Sequence, residues 1–153
     1  HSSKNKYDTW ITEDNAPQLL IFLDSNENFS FETKVTVTNK VGYPFFSGII
    51  VKFASGVKLM FGNNENRKVV VFCPEDQNYS LYERAYAANH IYLKVERNIN
   101  KYTFYCKTDA KEEWEKQFIA EFSDRVENFG LISRTWEFIE HHAEFTEIKH
   151  SIL

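Results

Sequence analysis

Two stretches of this sequence decide its fold: His90-Ile-Tyr-Leu-Lys-Val-Glu-Arg97 and Lys101-Tyr-Thr-Phe-Tyr-Cys-Lys107. Both are rich in β-branched and aromatic residues, and in both the apolar residues alternate with polar ones. This alternation is typical of a strand that buries one face. The connector Asn98-Ile-Asn100 is short, and asparagine tolerates the positive φ that a tight hairpin turn requires. We therefore predict an antiparallel hairpin over residues 90–107.

The same pattern extends to both sides of this hairpin. Phe29-Ser-Phe-Glu-Thr-Lys-Val-Thr-Val-Thr38 alternates throughout, whereas Gly48-Ile-Ile-Val-Lys-Phe53 is an apolar run that suits a strand covered on both faces. For residues 80–88 we expect one or two helical turns, and for residues 109–116 either a helix or a tight turn before a strand. In total about nine to eleven short strands are predicted, a number and spacing typical of a β-sandwich or barrel.

Length, charge and composition narrow the class of protein. A chain of 153 residues suits one domain, which we place at residues 1–153 with a disordered segment at 1–9. A net charge of −4 with both signs interspersed argues against nucleic-acid binding, which needs a basic patch. No apolar run reaches about 18 residues, so no membrane span is expected. For Cys73 and Cys106, both a disulfide and two buried thiols stay open.

Several strand motifs follow one another in a set order: Phe46-Ser-Gly-Ile-Ile-Val-Lys52, Val57-Lys-Leu-Met-Phe61, Tyr92-Leu-Lys-Val-Glu-Arg-Asn98, Tyr102-Thr-Phe-Tyr105, Phe129-Gly-Leu131 and Ala143-Glu-Phe-Thr-Glu-Ile148. In this order they resemble the concanavalin-A-like jelly-roll modules found at the C-terminus of bacterial beta-xylosidases and in related carbohydrate-active enzymes. The resemblance covers roughly residues 29–150. It implies an all-β fold, an antiparallel β-sandwich of the jelly-roll, concanavalin A-like lectin/glucanase type. The chain departs from the family at Ala110, where a glycine is usual before the tryptophan.

The resemblance also implies a function, a non-catalytic carbohydrate-binding module of a larger secreted, extracellular glycan-active enzyme or adhesin. As a monomer it would bind a polysaccharide or oligosaccharide. Two alternatives are a stand-alone protein with a structural or protein-partner role, in which case a cytoplasmic location stays open, and a small glycosidase or lyase. A sandwich glycosidase carries paired carboxylates on one strand face, and no Glu-x-Asp-x-Glu run occurs. Glu144 and Glu147 differ in strand parity, which predicts opposite faces.

Candidate binding residues follow from the chemistry of sugars, whose C–H faces stack on aromatic rings while polar side chains bond the hydroxyls. The leading candidate is the group Arg134, Trp136, Glu137 and His141, which combines a cation, a ring, a carboxylate and an imidazole. Each ring has an alternative role in covering the open end of the sandwich. The other candidates are tyrosines in predicted loops with polar neighbours: Tyr43, Tyr79 and Tyr82.

Two further expectations concern the hairpin surface and a metal. If the hairpin pairs as predicted, its solvent face carries an alternative aromatic and charged patch, formed by Tyr92, Lys94, Glu96, Tyr105 and Lys107. Relatives in the family often hold a structural calcium through acidic residues near the first and last strands. The corresponding residues here are Asp14 and Glu144, and carboxylate oxygens are ligands that calcium prefers.

Overall fold

The computed structural model of the protein describes residues 8–11, 14–23, 26–38, 42–137 and 139–153. These residues form strands and loops and contain no helix. In the described part of the chain, no segment could cross a bilayer as an apolar helix. The strands are β1 (Gln18–Phe22), β2 (Phe29–Val37), β3 (Phe45–Phe53), β4 (Lys58–Asn64), β5 (Lys68–Phe72), β6 (Ser80–Ala85), β7 (His90–Asn98), β8 (Lys101–Lys107), β9 (Glu115–Glu121), β10 (Val126–Thr135) and β11 (Ala143–Ile152).

The strands form two antiparallel sheets that pack face to face. The six-stranded sheet has the order β1-β10-β3-β4-β5-β6, and the five-stranded sheet has the order β11-β2-β7-β8-β9. The predicted hairpin is confirmed as β7–β8, in which Tyr92 pairs with Lys107 and Asn98 with Lys101. The positive φ of its turn falls on Ile99, at 58°, rather than on an asparagine. The amide of Ile99 donates to the side chain of Asn28 at 2.6 Å, which helps to hold this unusual conformation.

Aromatic rings fill the space between the sheets. Phe29 of β2 stacks on Phe129 of β10 with 4.1 Å between ring centroids, and Phe31 meets the same ring edge-on at 5.4 Å. Phe61 and Phe104 make a similar contact across the sandwich at 5.1 Å. Because rings from both inner faces interdigitate, the alternation seen in the sequence is explained by burial of one face of each strand.

The structure decides three local questions that the sequence raised. The helical turns predicted for residues 80–88 are wrong, because β6 pairs with β5 along Ser80–Ala85 and becomes an edge strand. Pairing with a neighbouring strand overrides the local helix preference here. Of residues 109–116, the first six form a tight turn, and β9 begins at Glu115. Cys73 and Cys106 are both buried and are free thiols.

A second apolar layer lies on the outer face of the six-stranded sheet. Its buried members include Phe46 and Ile50 of β3, which is apolar on both faces, and Ile132 of β10. Ala16 belongs to this layer and Trp10 meets Phe72 of β5 at its margin, and the amides of residues 15 and 16 both donate to the carbonyl oxygen of Asp8. Disorder was expected for residues 1–9. Residues 1–7 lie outside the described part, while Asp8 and Thr9 are buried.

Candidate functional site

Arg134 lies on the outer face of the six-stranded sheet, near the end of β10. Along this strand Phe129 and Leu131 point into the core, so Arg134 points outward. Its guanidinium lies between two indoles, 4.5 Å from the ring centroid of Trp10 and 4.8 Å from that of Trp136. Both distances are within the range of cation–π attraction. The fold therefore brings a cation into contact with two tryptophans that are far apart along the chain.

The aromatic surface continues beyond the two indoles. Trp10 meets Phe72 edge-on at 6.0 Å and Tyr79 edge-on at 5.5 Å. We refer to Trp10, Phe72, Tyr79, Arg134 and Trp136 as the tryptophan–arginine cluster. The Tyr79 side chain is 52% exposed, and both indoles are half-buried. Part of this aromatic surface is therefore open to a ligand from solution.

A buried ion pair fixes the centre of the cluster. Arg134 Nη2 lies 2.7 Å from Asp8 Oδ1, and the two side chains are only 5% and 8% exposed. The same carboxylate oxygen accepts from the amide of Thr9 at 2.9 Å, while the Asp8 amide donates to the side chain of Asn15 at 2.7 Å. In this low-dielectric setting, the pair ties the segment that carries Trp10 to the sheet.

Three of the residues predicted from the sequence lie in this cluster, and a fourth follows it directly along the chain. Arg134, Trp136 and Tyr79 belong to it, and Glu137 follows Trp136 directly and is exposed. Tyr43 is 43% exposed and lies in the β2–β3 connection. The neighbouring Gly42 amide donates to the carbonyl oxygen of residue 65, between β4 and β5.

Trp10 is the functional candidate that sequence reasoning missed. It lies in an irregular polar segment, and no spacing pattern connects it to Arg134. The only local signal is a tryptophan with polar neighbours outside any predicted strand. Such a ring is either an anchor for a terminal segment or part of a binding surface, and the structure places it next to Arg134 and Trp136.

Two of the predicted residues lie elsewhere. Tyr82 of β6 donates its hydroxyl to Gln117 at 2.8 Å and stacks on Phe118, so it joins the edges of the two sheets. The His141 ring is 1% exposed, stacks on Phe45 at 4.5 Å and bonds Ser47 Oγ at 2.7 Å. His141 therefore approaches the six-stranded sheet from its inner side, opposite to Arg134.

A cleft of about 630 Å³ lies beside His141, between the β1 and β10 side of one sheet and β11 of the other. Its lining is mostly apolar and includes the exposed side chains of Leu19 and Ile148 and the half-buried ring of Phe145. Burial lowers the pKa of His141 to about 3, and the neighbouring His142 acts in the same direction. The imidazole is therefore neutral near pH 7.

Substituting His141→Gln is expected to flatten the acid side of the stability profile. The pKa of His141 is about 3 when folded and near 6.5 when unfolded, so its contribution is complete above pH 6.5 and is lost as the pH falls toward 3. Between pH 6.5 and 5 the wild type should lose up to about 1.4 kcal/mol per pH unit through this group, and the variant none. Urea unfolding at pH 7, 6 and 5 measures the difference. Equal slopes for both proteins would contradict a buried neutral imidazole.

Asp14 and Glu144, the residues expected to bind calcium, do not converge. Asp14 Oδ2 lies 2.7 Å from Lys52 Nζ, and Asp14 Oδ1 accepts from Gln18 at 2.6 Å. Glu144 lies on β11 in the other sheet, opposite Thr36 of β2. Within the described ranges, no group of three His, Cys, Asp or Glu side chains is placed to hold a metal ion. These two carboxylates therefore do not fit a shared calcium site.

Two acidic side chains near the start of β9, Glu112 in the preceding turn and Glu115 on the strand, have partners within the protein. The Glu112 carboxylate accepts from the amides of Thr108 and Asp109 at 2.9 and 3.0 Å. These hydrogen bonds lower the pKa of Glu112. Glu115 forms an ion pair with Arg84 at 2.6 Å. Glu112 therefore stabilises the turn, and Glu115 joins an edge strand of one sheet to an edge strand of the other.

The prediction that Glu144 and Glu147 face opposite sides is wrong. The β11–β2 register shifts between Thr146 and Lys149, and Glu147 has a φ of 51°. This bulge inserts an extra residue and changes the parity that strict alternation assumes. As a result Glu147 accepts from the Tyr92 hydroxyl at 3.4 Å on the outer face of the five-stranded sheet.

Solved structures resemble this chain, whereas no protein-family model and no curated protein sequence matches it. A functionally unknown protein from Saccharomyces cerevisiae has a TM-score of 0.73 and 16% identity, over 97% of this chain and 84% of that chain. The GH43 protein BlXynB from Bacillus licheniformis has a TM-score of 0.79 and 14% identity, over 97% of this chain and 32% of that chain. The Ca²⁺-bound exoplasmic/lumenal domain of VIP36 has a TM-score of 0.60 and 10% identity, over 92% and 72%.

These similarities concern the fold, since all three identities are far below 25%. The chain spans about a third of the GH43 protein but most of the yeast protein and of the VIP36 domain. Two antiparallel sheets, packed face to face and matched to these structures over more than 90% of this chain, confirm the antiparallel β-sandwich of the jelly-roll, concanavalin A-like type that the strand motifs predicted.

Proposed function

We propose that the protein binds carbohydrate and that the tryptophan–arginine cluster is its saccharide site. The observation that carries this proposal is the pair of indoles held on a buried guanidinium, next to the half-exposed ring of Tyr79. A pyranose presents an apolar C–H face, and aromatic side chains with a polar edge suit such a ligand.

Arg134 acts in this proposal as a positioning residue. Its guanidinium is buried, so a sugar meets the indoles of Trp10 and Trp136 rather than the charge. Because the rings are fixed before binding, little side-chain entropy is lost when a sugar stacks on them. The exposed carboxylate of Glu137 and the hydroxyls of Tyr43 and Tyr79 supply hydrogen-bond partners for sugar hydroxyls at the rim.

The wider role that we propose is a single non-catalytic module, extracellular and part of a larger protein, that holds its parent on a polysaccharide. It is supported by two structural neighbours. One is a xylan beta-1,4-xylosidase from Bacillus halodurans, of which this chain spans 31%. Another is VIP36, solved with Man3GlcNAc bound. In such a parent protein, the catalytic groups would lie outside the segment that this chain resembles.

Affinity electrophoresis in gels that contain arabinoxylan, mixed-linkage β-glucan or galactomannan tests this function. We expect retardation in at least one gel. Trp136→Ala should lose affinity by about tenfold or more, because removing the aromatic partner of a stacked nucleic-acid base costs about 1–3 kcal/mol and we expect a similar cost for the C–H face of a sugar. Tyr79→Ala should weaken binding to a smaller extent.

The matched control is Phe22→Ala, which removes a ring that is 71% exposed and lies near the opposite end of β10. This variant should migrate like the wild type in every gel. Absence of retardation of the wild type in all gels would refute the function, and equal retardation of the Trp136→Ala variant would refute the site. Release of reducing sugar by the wild type would show instead that the protein is an enzyme.

A further inference from the structure

The outer face of the five-stranded sheet carries a second set of aromatic rings. In the β7–β8 pair, Tyr92 lies opposite Lys107 and Lys94 lies opposite Tyr105, as the alternative patch predicted. Trp114 reaches this face from the turn before β9. Lys94 Nζ is 4.5 Å from the ring centroid of Tyr105 and 5.1 Å from that of Trp114, and Lys107 Nζ is 4.8 Å from Trp114. Rings and ammonium groups therefore alternate across the face.

The turn that carries Trp114 is held in place by its own hydrogen bonds. Lys107 Nζ donates to the carbonyl oxygens of Ala110 and Glu112, both at 2.9 Å. The Glu112 carboxylate accepts from two amides of the same turn, and the Lys111 amide donates to Asp109 at 2.8 Å. Trp114 is thus held over the sheet by contacts within the protein, which lowers the entropic cost of binding to it.

A pocket of about 100 Å³ lies beside this indole. Tyr92 and Trp114 supply its aromatic wall, and its charged lining is balanced, with two lysines and two glutamates among the residues Glu32, Lys107, Glu147 and Lys149. At roughly 30 Å³ per water in the liquid, the space equals about three waters, so it admits the hydroxyl groups at one edge of a sugar while the ring itself lies outside, against the Trp114 indole. A pocket with rings on one side and equal numbers of donors and acceptors on the other suits a neutral polyhydroxylated ligand better than an ion.

Two polar pairs that line this pocket are farther apart than the atoms of an ordinary hydrogen bond. Lys149 Nζ lies 3.9 Å from Glu32 Oε2, and the Tyr92 hydroxyl lies 3.4 Å from Glu147 Oε1. Direct hydrogen bonds of these kinds are normally about 2.5–3.0 Å for O–H···O and 2.7–3.2 Å for N–H···O. A ligand hydroxyl, which both donates and accepts, satisfies each pair better than the partners satisfy each other.

We infer that this pocket, with Trp114 and Tyr92, is a second saccharide-binding site, separate from the tryptophan–arginine cluster. The inference rests on the proposed function for its ligand class. The two sites lie on the outer faces of opposite sheets, so one ligand chain cannot stack on both flat faces at once. One protein molecule therefore binds two polysaccharide segments and links them. Its overall affinity for an insoluble polysaccharide is higher than that of either site alone, because two weak contacts act together.

The same three gels test this site with a second set of variants. Trp114→Ala should lose affinity at least threefold, and Glu147→Gln, which leaves the indole in place and removes one acceptor charge, should lose affinity by a smaller factor. The double variant Trp114→Ala/Trp136→Ala should not be retarded. Lys116→Ala, an exposed side chain on the edge strand β9, is the control and should migrate like the wild type.

Cross-linking gives an independent readout. Wild-type protein added to dissolved arabinoxylan, β-glucan or galactomannan should raise light scattering in the polysaccharide that retards it, and neither Trp114→Ala nor Trp136→Ala should do so. If the Trp114→Ala and Glu147→Gln variants match the wild type while Trp136→Ala abolishes retardation, the second site is refuted and the proposed function stands. If the wild type is retarded in none of the gels, both are refuted.

Discussion

Phe129→Ala is expected to lower the free energy of unfolding by about 3–5 kcal/mol, the usual cost of removing a large buried ring. The Phe129 ring is 0% exposed and lies parallel to Phe29, with 4.1 Å between centroids and 5° between planes. Phe31 packs on it edge-on, and the His150 ring lies 5.6 Å away. Because side chains from two strands of the opposite sheet, β2 and β11, pack on this ring, the cavity left by alanine cannot close by moving one strand. Urea unfolding followed by tryptophan fluorescence measures the change.

Phe22→Ala is the matched control for this stability measurement. Phe22 is the same residue type on the neighbouring strand β1, but its side chain is 71% exposed. Substitutions at such positions usually change stability by less than about 0.5 kcal/mol. Equal losses for Phe129→Ala and Phe22→Ala would mean that the stacked rings do not form the centre of the sandwich.

The strands that the sequence predicts well are those whose burial is one-sided. Alternation in Phe29–Val37 and in His90–Asn98 follows directly from a core on one face and solvent on the other, so each can be identified without its neighbours. Ser80–Ala85 could not be identified in this way. It is an edge strand with an exposed or half-buried face on both sides, and its burial carries no period-two signal. It is a strand because its backbone pairs with that of β5.

The candidate site was predictable only in part, for a related reason. Arg134 and Trp136 share a face because they are two residues apart at the end of a strand, and this parity can be derived from the sequence. Trp10 contacts Arg134 because the irregular segment that carries it folds back onto the sheet. That segment has no alternation of apolar and polar residues from which this contact could be predicted. His141 is near them in sequence, but the connection after β10 carries it to the inner side, against Phe45. Proximity along the chain predicts a shared site only while the backbone stays extended.

The ion pair at the centre of the tryptophan–arginine cluster should have the second largest effect. Arg134→Ala is expected to cost about 3 kcal/mol or more, because removing one member of a buried pair takes away the charge that compensates the burial of the other. Lys52→Ala is the matched control. The Lys52–Asp14 pair has the same 2.7 Å separation as the Arg134–Asp8 pair, but its side chains are 18% and 49% exposed instead of 5% and 8%. Exposed pairs contribute about 1 kcal/mol or less.

A double-mutant cycle of Arg134→Ala with Asp8→Ala separates this pair from the other contacts of each residue. If the two side chains stabilise the fold through each other, the double variant loses clearly less than the sum of the single losses. The same variants report on binding, since Arg134 also positions the indoles of Trp10 and Trp136. Asp8→Ala should therefore weaken retardation by polysaccharide although Asp8 contacts no ring in our proposal, and Lys52→Ala should not. Additive stability losses together with unchanged retardation for Asp8→Ala would show that the ion pair neither holds the N-terminal segment on the sheet nor orders the binding surface.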